Sequence, residues 1–153
     1  MSIVALVIVL GGLVVWRGRA LVDGRAYPGS SLFRSLEGTA DKFHITLPDC
    51  PVENLHYYYY DAVIGGTAFL TFTADETCVR SFLERNDLRG GSPGPADRIP
   101  LAHDPDVRKW GWPLTPDRTV VTYLGHPKPD ADFRVSVETE GTKQTVYSTV
   151  FEY

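Results

Sequence analysis

The sequence predicts an α+β domain: an antiparallel sheet of about five or six strands with one packed helix, preceded by an N-terminal apolar membrane helix. Three observations carry this reading. Ile3 to Trp16 (IVALVIVLGGLVVW) contains no charged or strongly polar side chain and has no amphipathic face. Runs rich in aromatic and β-branched residues recur on both sides of the chain's middle, with turn signals between them. One segment between those runs has the capping pattern and apolar stripe of a helix.

The apolar run comes first. A bilayer core of roughly 30 Å takes about 20 helical residues, so this run spans only with Met1, Ser2 and the snorkelling stems of Arg17 and Arg19 added. We read residues 1–20 as a membrane anchor or signal-anchor, with the membrane as the partner of Ile3 to Trp16. A cleaved signal peptide is the lesser reading, because nothing basic precedes Ile3 and no small-x-small site follows Trp16. Arg17, Arg19 and Arg25 favour an inward C-terminal domain by the positive-inside rule. The two cysteines favour the opposite, an oxidising compartment. The expectation is a single-pass protein with an extracytoplasmic domain.

Residues 21–42 are small and polar, with Gly24, Pro28, Gly29, Ser30, Ser31 and Gly38, and read as a flexible tether. Leu32, Phe33 and Leu36 inside it fit one amphipathic turn. The domain is expected over 43–153. Its first strand is expected at FHITL from Phe43, which alternates apolar and polar. His56 to Ile64 and Thr67 to Thr73 follow as a hairpin about Gly65 and Gly66. In the run Tyr57 to Tyr60, alternation sends two rings inward and two outward.

Thr73 and Glu76 form a T-x-x-E capping box, and Cys78, Val79, Phe82 and Leu83 make the stripe of the helix behind it. Leu88 to Asp117 then holds six prolines and four glycines and is expected to be a long loop without regular structure, the kind of segment that carries function. Strands return at Thr119 to Leu124, Phe133 to Thr139 and Gln144 to Tyr153, the last two joined through Glu140 and Gly141.

The net charge of -4 and the lack of any basic stripe exclude a nucleic-acid partner. No nucleophile elbow, phosphate loop or dinucleotide fingerprint occurs, and no motif implies a cofactor or a resident metal. Cys50 and Cys78 are expected to form a disulfide that ties the loop before the hairpin to the helix. His103, Asp104 and Asp106 (HDPD) have the residue types of an acid–base or metal site, but their spacing fits a solvated turn better. Trp110 and Trp112, flanked by Arg108 and Lys109, are the candidate binding residues: large aromatics beside cations suit an interface or a sugar-stacking site. Folding back as a lid over a small core is the competing role for both rings.

The function expected is therefore a membrane-anchored, extracytoplasmic binding module without catalysis, engaging a protein or cell-envelope partner through the loop with its tryptophans. A small His/Asp-dependent hydrolase and an accessory subunit of a membrane assembly are the alternatives.

Overall fold

The computed structural model describes residues 23–31, 34–61 and 65–153. The expected anchor, Ile3 to Trp16, lies outside the described residues, as do Leu32, Phe33 and 62–64. Among the described residues no helix is long and apolar enough to cross a membrane.

Helix α1, Leu36–Phe43, opens the domain. Ser35 caps it by accepting the Gly38 amide at 3.1 Å, and His44 closes it in the left-handed region with φ 55°. Leu36, Ala40 and Phe43 fall at helical spacing and are buried. Two expectations are corrected here. Phe43 ends a helix instead of starting a strand, so the FHITL alternation is not a strand signal. The stretch read as a tether is structured from Asp23 onward within the described residues. Its strap, 25–31, runs along the outer edge of the first strand: the Tyr57 amide donates to Arg25 O, Tyr27 donates to Tyr57 O, and Ser31 donates to Tyr59 O. This strap covers backbone groups that an open sheet edge would expose.

Strands β1, Glu53–Asp61, and β2, Gly66–Ala74, form the expected antiparallel hairpin, with Tyr57 opposite Leu70 and Asp61 opposite Gly66. Tyr57 and Tyr59 are each 1 % exposed while Tyr60 is 57 % exposed, as period-two alternation requires. Helix α2, Glu76–Arg85, follows with Asp75 at its N-cap position. Thr73 does not cap it; it lies in β2 and shares a hydroxyl hydrogen bond with Thr145 at 3.2 Å. Strand β3, Arg89–Pro95, arises inside the stretch expected to lack regular structure. It is an edge strand, and the Ala96 amide donates to Arg118 O at 2.8 Å. Period-two alternation from that bond turns the nitrogens of Pro93 and Pro95 away from β4, so their missing N–H groups cost no ladder bond.

Two 3₁₀ turns, Ala96–Arg98 and Pro100–His103, and a short helix α3, Pro105–Lys109, lead to the meander β4, Thr119–Lys128, β5, Ala131–Glu138, and β6, Gln144–Glu152. The sheet order is β1-β2-β6-β5-β4-β3, antiparallel throughout. Helices α1 and α2 cover one face through Phe43, Tyr59, Phe72, Phe82, Phe133 and Val146, among others. Each such fully buried large side chain contributes roughly 1.5 to 3 kcal/mol relative to exposure. Cys50 and Cys78 are joined, with Cα atoms 6.0 Å apart, and pin the segment before β1 onto α2. The other face carries a second core, described next.

Candidate functional site

Residues 96–118 fold back as a lid over one half of the second sheet face, where Ile99, Leu101, Val107 and Leu114 meet Phe69, Val120 and Tyr147. Its base is held by the Ala96–Arg118 backbone bond and by an ion pair from Arg118 to the buried Glu138. Tyr147 Oη also donates to Glu138 Oε2, at 3.2 Å. Burial and the Glu138 carboxylate hold the Tyr147 phenol well above its ordinary range, so it stays a donor. Within the lid, Asp104 caps α3, its carboxylate accepting the amides of Asp106 at 2.8 Å and Val107 at 3.3 Å.

The structure separates the four candidate binding residues. Trp112 is 9 % exposed and belongs to the second core, where its Nε1–H donates to Tyr27 Oη at 2.8 Å. Arg108 is exposed and turns back to Ala102 O. Trp110 and Lys109 do come together, at one wall of a cleft of about 440 Å³. Trp110 stacks on Tyr27 with centroids 4.5 Å apart and planes within 9°, leans on Tyr58 at 4.8 Å, and receives the Phe69 edge at 5.3 Å. Tyr27, Pro28 and Gly29 of the strap, together with Tyr58 of β1 and Asp106, complete the cleft's lining. At the rim Lys109 Nζ donates to Asp106 Oδ1 at 2.9 Å, and that carboxylate raises the ammonium's pKa. Burial, then the charge of Asp106, raises the Tyr58 phenol too; burial raises Tyr27. Both cleft tyrosines are neutral near pH 7.

Half of this site was invisible to sequence reasoning. Tyr27, Pro28 and Gly29 lie in the stretch read as a tether, and Tyr58 in a run read as ordinary sheet surface. The missed signal is Tyr27 itself: a large aromatic inside a polar, glycine-rich segment needs something to pack on.

The HDPD group is dispersed in role. Asp104 serves the helix cap, Asp106 pairs with Lys109, and His103 is exposed at the end of a 3₁₀ turn. The other histidines stand apart: His44 ends α1, His56 packs on Tyr27 at 5.2 Å, and His126 pairs with Asp132 at 3.0 Å. Among the described residues no three His, Cys, Asp or Glu side chains gather as metal ligands. What the cleft offers is a hollow lined by aromatic rings and by Pro28 and Gly29 of the strap, with the Lys109–Asp106 ion pair at its rim. Comparison with protein-family models, with curated proteins and with solved structures finds no match to this chain.

Proposed function

We propose that the chain is a membrane-anchored, extracytoplasmic binding module whose aromatic cleft takes an extended, proline-containing segment of a protein partner. The observation that carries the reading is the composition of the cleft: Tyr27, Pro28, Tyr58 and Trp110 around a slot, with Lys109 and Asp106 at the rim. Aromatic-lined grooves of this kind recognise polyproline-like segments, which lose little entropy on binding because they are already extended. The Cys50–Cys78 bridge supports the extracytoplasmic side, since such bonds persist in oxidising compartments. The anchor rests on the sequence of Ile3 to Trp16. A partner that is itself a membrane protein would make the chain an accessory subunit using the same cleft.

The test is photo-cross-linking in native membranes, with a benzophenone side chain in place of Pro28 in the full chain. The reading requires an adduct on a proline-bearing protein segment that disappears with Lys109→Glu or Trp110→Ala in folded protein. An adduct on glycan, or one indifferent to both substitutions, would refute it.

A further inference from the structure

The lid covers only half of the second sheet face, and the uncovered half is unusually apolar. Tyr60, Leu124, Phe151 and Tyr153 are 57 %, 54 %, 51 % and 60 % exposed, and they are the exposed large hydrophobic residues among those described. The strand register puts them on one surface. Tyr60 lies opposite Thr67, Thr67 opposite Phe151, and Phe151 opposite Asp132; one row along, Leu124 lies opposite Arg134 and Arg134 opposite Thr149. Cross-strand partners share a face. Tyr153 follows Phe151 by two residues, with ring centroids 6.2 Å apart. A groove of about 220 Å³ runs between the lid edge at Ile99 and Leu101 and the strands at Arg134, Thr149 and Phe151.

Charge narrows the choice of occupant. Arg134 is exposed near the middle of this surface and has no ion-pair partner among the described residues. Asp132 stands two residues along β5 on the same face, one of its oxygens held by His126. We infer that a second copy of this chain seats face to face on the open half-sheet. A two-fold axis lying in the interface and crossing β5 at Phe133 brings Arg134 onto the partner's Asp132 and Asp132 onto the partner's Arg134. The same rotation lays Phe151 over the partner's Thr149. One operator thus pairs the Arg134 cation, supplies the second Asp132 oxygen and covers the Phe151 ring, as an isologous interface requires.

The area fits. At about 150 to 250 Å² per aromatic side chain, half exposed, Tyr60, Phe151 and Tyr153 present on the order of 300 Å² of apolar surface, to which Leu124 adds. A standard interface takes about 800 Å² from each partner, slightly more than half of it apolar.

The experiment is the mass of the full chain in mild detergent, by light scattering corrected for bound detergent, over a concentration series. Wild type should be a dimer at tens of micromolar. Arg134→Asp or Asp132→Arg alone should weaken it at least tenfold, and the double exchange D132R/R134D should restore it, since the two charges trade places. Phe151→Ser should give the same loss without touching charge. A wild-type monomer throughout the series would overturn the inference. So would a dimer unmoved by Arg134→Asp, which would place association in the apolar N-terminal run, or a double exchange that stays monomeric.

Discussion

Trp112 Nε1–H donates to Tyr27 Oη at 2.8 Å, across 85 positions of sequence. This bond fastens the lid to the strap that covers β1, and the Tyr27–Trp110 stack beside it completes the join. Two walls of the cleft are therefore set by one contact between distant segments. Trp112→Ala should destabilise the domain by about 3 to 5 kcal/mol, as expected for a buried aromatic lost to a cavity. Tyr27→Phe keeps the ring and strands the indole N–H, at about 1 to 3 kcal/mol. Lys109→Ala, at the exposed rim, should stay within about 0.5 kcal/mol. Chemical unfolding of the three variants checks the ranking.

The Cys50–Cys78 bridge closes a separation of 28 residues. Its removal by the paired substitution to alanine should cost about 3 to 4 kcal/mol in the chain-entropy account. Protein taken from its native membrane and alkylated under denaturing conditions should label both cysteines only after reduction. Immediate labelling would contradict the extracytoplasmic placement.

Alkaline stability should report on Tyr57. Its hydroxyl donates to Arg34 O at 2.8 Å, and burial, helped by the charge of Asp23, pushes the phenol from its ordinary 10.0 up to about 12. The folded state thus holds the proton more tightly than the unfolded chain. Stability from the neutral phenol is complete below pH 10 and is lost as pH rises from 10 to 12. Tyr57→Phe should flatten that decline, as measured by thermal midpoints across the range.

Gly65 has φ 75°, and a Cβ built there would lie 2.1 Å from Glu152 O. Gly65→Ala therefore meets both a left-handed backbone and the end of β6. The loss should exceed the roughly 1 kcal/mol typical of alanine at positive φ, because a backbone atom must move. Gly111→Ala, also at positive φ but in open space, is the matched control.

The strands that alternate cleanly were legible in the sequence. TVVTYL, FRVSVET and QTVYSTVFEY fall in β4, β5 and β6 but for the last residues of the latter two, Thr139 and Tyr153, and the tyrosine run sorts by face as period two demands. The count of strands agrees although its members differ. FHITL contributes none, because His44 in the left-handed region terminates a helix that the glycine-rich composition of 21–42 concealed. RGGSPGP contributes one, because an edge strand tolerates prolines that a central strand rejects. The capping box misled in a narrower way: Thr73 is held by its ladder partner Thr145, so the helix begins behind Asp75. Trp110 and Lys109, singled out in the sequence as an aromatic beside a cation, line one cleft. Their partners were not legible, since Tyr27 and Tyr58 reach Trp110 only through pairing of the strap with β1, a long-range contact that local pattern does not encode.

The most direct measurement is tryptophan fluorescence of the full chain in lipid nanodiscs, titrated with a proline-rich decapeptide and, separately, with a chito-oligosaccharide. Saturable change is expected with the peptide, reduced at least tenfold in affinity by Lys109→Glu, and no response to the sugar. Saturation by the sugar alone, or a peptide response that Lys109→Glu leaves untouched, would contradict the proposed function.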